Sequence, residues 1–141
     1  MRRLAFIVFA SLLFACSRPA SDESYRLIEG DSVSFTLDMA DSLRYSLELL
    51  IYAGESAVGD DAVLPVEVSL LSPDSLVYRD RLDFQFTDIA ENNPSSSVFA
   101  KVISEGFRPV SYGEWSMTVR FLPEDIEKLA LRGVGVRLER E

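Results

Sequence analysis

Histidine is absent from all 141 residues, and cysteine occurs once, at position 16. Without imidazole the chain lacks the commonest general base and metal ligand at neutral pH, which removes most hydrolase constellations and most zinc sites. A single cysteine cannot close an internal disulfide, so stability has to come from packing. Positive charge is scarce: 14 Lys and Arg stand against 23 Asp and Glu, for a net charge of −9. The basic residues are scattered singly, whereas a polyanion-binding surface needs clustered Lys and Arg to displace counterions, which argues against nucleic acid as a partner. The apolar run from Leu4 to Phe14 has eleven residues. That is short of the about 20 that a spanning helix requires.

The amino-terminal stretch has its own logic. Met1-Arg2-Arg3 is a positive n-region, Leu4 to Phe14 an apolar h-region, and Ala15 the small residue that a signal peptidase accepts before its cut. Leu13-Phe14-Ala15-Cys16 resembles the bacterial lipobox, although Phe14 is larger than usual for its position. The resemblance implies a diacylglycerol on Cys16, removal of residues 1–15 and an acyl anchor in which each buried methylene is worth ~0.8 kcal/mol. An ordinary secretory signal peptide is the competing reading. A twin-arginine signal is the third, raised by Arg2-Arg3 but not continued by the residues around the pair.

Cleavage before Cys16 would remove two arginines and no acid, leaving 12 basic and 23 acidic residues and a net charge of −11. Anionic headgroups would repel such a body, so it is expected to stand away from the bilayer and to depend on its lipid. Residues 16–24, rich in serine and acid and without apolar periodicity, read as a lipid-anchored tether, and residues 25–141 as one domain. Ser17 is not the aspartate associated with inner-membrane retention in enteric bacteria. The expected location is therefore the outer membrane, facing the periplasm rather than the cell surface. Ser21-Asp22-Glu23 resembles the short acidic export signals of some surface lipoproteins, though it lies farther from the cysteine, and a solvated linker is the simpler reading.

From Ser32 the apolar period is two. Val33, Phe35 and Leu37 alternate with Ser and Thr, and Leu43, Tyr45, Leu47, Leu49 and Ile51 make a longer strand that is apolar on both faces at its far end. Ala53 to Asp61 reads as a loop. Leu64, Val66, Val68 and Leu70 share a face, with Pro65 marking an edge or an opening position. Ser72-Pro73-Asp74-Ser75 has turn chemistry and makes 63–86 a hairpin, returning with Leu76, Tyr78, Leu82, Phe84 and Phe86 on one parity. Thr87 to Ser97 reads as the longest loop and Val98 to Ile103 as a weak strand. Trp115, Met117, Val119 and Phe121 form the cleanest alternation, Pro123 to Ala130 a short helical turn, and Val134, Val136 and Leu138 a last strand. The pattern predicts an all-β fold: an antiparallel sandwich, Ig-like or jelly-roll-like, of seven to eight strands with one short helical turn. Its expected core includes Phe35, Leu47, Val68, Phe84, Trp115, Val119 and Val136.

The order of these pieces resembles the gliding-motility-associated lipoprotein H family of Bacteroidetes. The resemblance is carried by the lipid cysteine, Asp-Ser-Val-Ser-Phe (31–35), Leu-Asp-Phe-Gln-Phe-Thr-Asp (82–88), Tyr-Gly-Glu-Trp (112–115) and Leu-Arg-Gly-Val-Gly-Val-Arg-Leu-Glu (131–139). Gly113, Trp115, Gly133 and Gly135 fall on positions that recur there, while Asn92 to Phe99 replaces the family's tryptophan- and glycine-rich centre. The resemblance implies an envelope lipoprotein associated with the gliding machinery.

Candidate sites are few. Glu55, Asp60 and Asp61 supply calcium-type oxygens in a spacing that matches no EF-hand, and an acidic loop is more often solvated. Ser72 and Ser75 have no base to activate them as nucleophiles. Paired carboxylates for glycoside hydrolysis have no second signal behind them. Of the aromatics, Tyr45, Tyr78 and Trp115 share parity with the core, which leaves Tyr52 and Tyr112 as exposed candidates for ligand contact. The expectation is a non-enzymatic accessory lipoprotein with no cofactor, joined to the membrane through Cys16 and to envelope proteins. A carbohydrate-binding lipoprotein that captures glycan is the alternative.

Overall fold

The structure, a computed structural model, describes residues 21–54, 63–85, 88–93 and 96–141. Among these residues nine antiparallel strands and one short helix follow in order: β1 (Ser21–Leu27), β2 (Ser32–Met39), β3 (Tyr45–Gly54), β4 (Val63–Leu71), β5 (Val77–Gln85), β6 (Ile89–Asn93), β7 (Ser96–Phe107), β8 (Gly113–Phe121), α1 (Pro123–Lys128) and β9 (Leu131–Arg140). They form a five-stranded sheet ordered β1-β9-β3-β7-β6 and a four-stranded sheet ordered β2-β8-β4-β5. The two pack face to face as a β-sandwich.

Alternation explains which face is which. Val33, Phe35, Leu37 and Met39 of β2 point inward, as do Leu47, Leu49 and Ile51 of β3 and Trp115, Met117, Val119 and Phe121 of β8, and all are buried in one cluster with Leu64, Val66 and Val68 of β4. All seven residues expected in the core, from Phe35 to Val136, are buried there. Helix α1 begins with Pro123, whose missing N–H would have no intrahelical acceptor in any case, and carries Glu124 and Asp125 in its first turn.

Three local expectations are corrected, and one, for Pro65, is narrowed to its second alternative. Ser21–Ser24, read as tether, are the first half of β1, paired with β9 from Ser21↔Glu139 to Leu27↔Gly133. Most β1 side chains are exposed, so this edge strand has no buried face for periodicity to reveal. Within 87–97, read as loop, β6 pairs with β7, and β7 itself runs twelve residues rather than the six of Val98–Ile103. Pro65 is not on an edge, because β4 lies between β8 and β5; it sits at the opening of the strand, one residue before pairing with β8 starts at Val66. Leu43 precedes β3 and is exposed.

Three connections meet at one end of the sandwich: 40–44 between β2 and β3, the turn 72–76 between β4 and β5, and 108–112 between β7 and β8. Register places the start of β1 at this same end, since Ser21 and Ser46 both pair with Glu139. Helix α1 and the connection from β1 to β2 lie at the other end.

Candidate functional site

Cys16 lies outside the described residues, and so does the acidic loop of Glu55, Asp60 and Asp61. What the structure adds is where the chain arrives from the cysteine. Arg140, whose side chain is 5% exposed, forms an ion pair with Asp22 and donates to the Asp38 carbonyl. Arg137 donates to Glu23 at 2.7 Å and to Glu48 at 2.9 Å, a contact that raises the guanidinium pKa, chiefly through the Glu23 hydrogen bond. These two arginines clamp β1 to β9 and β3. Nearby, the Tyr45 hydroxyl donates to the Asp41 carbonyl at 2.8 Å; burial raises its pKa, and the Asp41 carboxylate reinforces the shift.

The 72–76 turn closes on itself and on its neighbour. Ser72 Oγ donates to Asp74 Oδ1 at 2.6 Å while accepting the Leu76 N–H at 2.9 Å, and Ser111 Oγ donates to the same Asp74 oxygen at 2.8 Å. The two hydroxyls, Ser72 first, hold the Asp74 carboxyl below its ordinary range. Ser72 with Asp74 is thus a turn clamp, the hydroxyl donating to the carboxylate and accepting from the backbone within the same turn. Beside it, Trp115 Nε1 donates to the Ser111 carbonyl at 2.9 Å.

The sequence candidates fall in different places. Tyr52 lies on the outer face of the five-stranded sheet, half-buried, its ring meeting that of Tyr25 edge-on at 5.0 Å. A Cβ at Gly133 would collide with the Tyr25 hydroxyl, so the glycines of the last strand make room for this pair. The second apolar face at the far end of β3 is thus covered by local side chains. Tyr112 is 41% exposed in the 108–112 connection. Tyr45 pairs with Phe107 at the start of β3, and Tyr52 stands seven residues farther along, roughly 23 Å at ~3.3 Å per residue. The two candidates therefore do not form one platform. Tyr78, expected in the core, is 41% exposed, because the first half of β5 has the right parity but lies where the core thins; it stacks on Trp115 at 5.9 Å.

Two surface hollows escaped the sequence reading. On the outer face of the four-stranded sheet, Glu67 pairs with both Arg81 and Arg120, and this row with Asp31, Leu122 and Pro123 lines an open groove of about 240 Å³. On the other sheet, Glu48, Glu105, Glu139, Glu141 and Arg137 line a hollow of about 150 Å³. No group of acidic or cysteine side chains among the described residues is arranged to hold a metal ion. Only cross-strand register could have revealed these hollows, since each draws on segments far apart in the chain, Glu48 with Glu141 in one and Asp31 with Pro123 in the other. No helix among the described residues is long and apolar enough to cross a membrane.

No family model matches the chain, and no curated protein matches it. Solved structures with a similar course include a protein from Sulfurospirillum deleyianum, 8% identical over 85% of this chain and 98% of that one, with a TM-score of 0.42. The mitogen derived from Yersinia pseudotuberculosis is 9% identical over 88% of each chain at 0.41. The Aeromonas hydrophila periplasmic inhibitor of g-type lysozyme is 8% identical over 86% of this chain and 87% of that one at 0.37. At these values the likenesses carry no argument about function.

Proposed function

We propose that the chain is a lipid-anchored, non-enzymatic accessory protein of the bacterial envelope, similar in role to the gliding-motility-associated lipoprotein H family and working through protein partners. One observation carries the reading: the lipobox-like Leu13-Phe14-Ala15-Cys16 stands directly ahead of a folded β-sandwich whose first strand opens at Ser21. An acylated Cys16 would then hold the domain within a few residues of the bilayer, where an accessory of an envelope assembly operates. The charged side chains around β1 and β9 are engaged with one another, which suits a scaffold role better than catalysis.

Intact mass of the membrane-extracted protein tests the anchor: the expected product lacks residues 1–15 and carries acyl mass on Cys16. Cross-linking in cells then tests the role. The acylated protein should recover envelope proteins that a Cys16→Ala form does not. Glycan capture is the second reading, favoured by the exposed Tyr112. Micromolar glycan binding that Tyr112→Ala abolishes, with no protein partner recovered, would replace the accessory reading.

A further inference from the structure

Large apolar side chains left exposed are distributed unevenly over the described residues. Leu43, Leu71, Leu76, Val77, Val110 and Tyr112, between 39% and 69% exposed, all belong to the end formed by the 40–44, 72–76 and 108–112 connections. The opposite end has three: Leu27, Val63 and Leu122. The crowded end is also the one at which β1 begins. We propose that it is a membrane-docking face, which rests on the phospholipid headgroups with its loop tips in the interfacial layer. This inference rests on acylation of Cys16.

Reach supports it. Five peptide steps separate Cys16 from Ser21, at most about 18 Å when fully extended. The ten residues of β3 run about 33 Å along the sandwich. An acyl chain on Cys16 therefore brings the near end to the bilayer before any other part. Lying flat on the four-stranded sheet instead would press the charged run Arg79 to Asp83 onto the headgroups, whereas the acidic hollow of Glu48, Glu105, Glu139 and Glu141 opens beside the near end, on the outer side of the five-stranded sheet. The near end is better suited. The Asp74 carboxylate is already satisfied by two serines, the Tyr45 hydroxyl by Asp41, and the Trp115 N–H by Ser111. Arg44 and Arg108 stand in the same connections as Leu43 and Val110, placed to reach lipid phosphate while the apolar tips enter the interface. The acyl chains supply the affinity, and the loops set the orientation. In this pose the acidic body meets the membrane through the 40–44, 72–76 and 108–112 connections, whose two acids, Asp41 and Asp74, are balanced by Arg44 and Arg108.

A thiol at Val110 provides the test, because acylation blocks the sulfur of Cys16 and leaves Val110→Cys the only free thiol of the mature chain. The acylated protein, extracted from membranes and fluorophore-labelled at that position, is reconstituted in phosphatidylcholine vesicles that carry a nitroxide lipid. A Leu122→Cys protein labelled in the same way reports the far end. The expected result is loss of most emission at position 110 and none at 122, with position 110 recovering when Leu43 and Leu76 are both changed to serine, exposed substitutions that circular dichroism should show to be folded. Equal emission at the two positions in protein whose intact mass includes acyl chains would overturn the docking face and leave the anchor standing. Absence of acyl mass would overturn anchor and docking face together. A label at 110 that vesicles do not quench, but that cross-links to an envelope protein in cells, would assign this end to a protein partner instead.

Discussion

Replacing Trp115 by alanine should remove a large fraction of the stability of this domain. The side chain is 5% exposed on the inner face of β8, donates from Nε1 to the Ser111 carbonyl, and stacks on Tyr78 at 5.9 Å. A tryptophan buries about 150–250 Å². Losing roughly 150 Å² of that at ~25 cal/mol per Å² is worth about 4 kcal/mol. Large-to-small substitutions of this kind span ~3–5 kcal/mol. The Tyr78 side of the ring is open, so neighbours and water can fill part of the void, which places the expected loss near the lower end, about 3 kcal/mol of a total of ~5–15. With an unfolding entropy near 2.1 cal/mol/K per residue over about 120 residues, 3 kcal/mol corresponds to a fall in Tm of about 12 °C. Trp115→Phe separates packing from hydrogen bonding: it keeps an aromatic ring but leaves the Ser111 carbonyl to water, and should cost only about 1–2 kcal/mol. Thermal unfolding followed by far-UV circular dichroism, with urea titration to verify an unchanged m-value, reads both variants. A Tm for Trp115→Ala within ~3 °C of the parent would refute the placement of this ring in the core.

Two glycines should respond differently to alanine. At Gly54 the new Cβ would stand 2.7 Å from the Ala130 Cβ, which has no rotamer to yield, so a loss of about 1–3 kcal/mol is expected. Gly133→Ala displaces only the exposed Tyr25 ring and should cost about 1 kcal/mol or less; urea midpoints in the reverse order would contradict this geometry. Because Ser72 and Ser111 lower the Asp74 pKa, the stability from this carboxylate is full above its unfolded value of ~3.9 and disappears as pH falls through the lower folded value. The Tm difference between parent and Asp74→Ala should thus be constant from pH 7 to about 5 and close on further acidification, and a difference that widens in acid would be inconsistent with it. Asp22→Ala breaks the ion pair to the buried Arg140 and should speed hydrogen exchange of β1 amides well before those of β3. Uniform exchange across both strands would show that the pair does not hold the edge.

The sandwich was legible wherever a strand has one buried face. In β2 and β8 every second residue is apolar because every second residue is packed against the other sheet, and the parity of Phe35, Trp115 and Val119 alone identified core positions. The turn at 72–76 was legible for a different reason: proline and hydroxyl or carboxylate side chains in that order have a local hydrogen-bonding solution that needs no tertiary context, and Ser72 with Asp74 adopts it. Strands that bury little remained hidden. β1 contributes backbone pairing to β9 and places most of its side chains in solvent, so Ser21 to Leu27 has the composition of a linker. β6 pairs only with β7 and has the sequence Ile-Ala-Glu-Asn-Asn, with no alternation to distinguish it from a loop.

Tyr78 and Tyr52 illustrate why the site was harder to read than the fold. Parity assigns a side chain to one face of a sheet, but burial also requires something opposite that face. Tyr78 has the parity of Phe84 and is nevertheless 41% exposed, whereas Phe84, six residues along the same strand, is fully buried. Tyr52 has the outward parity and is half-buried, because Tyr25 from an unrecognised strand reaches it across a glycine. The charged row Arg81, Glu67 and Arg120 is invisible for the same reason: three residues from three strands become neighbours only through register. The grouping of exposed apolar side chains at one end follows this rule as well. Leu43, Leu76 and Val110 are separate loop residues in the chain, unremarkable singly. They acquire a common direction only when the strands that carry their loops are aligned, and a common purpose only when the first of those strands is joined through five peptide steps to a cysteine read as acylated.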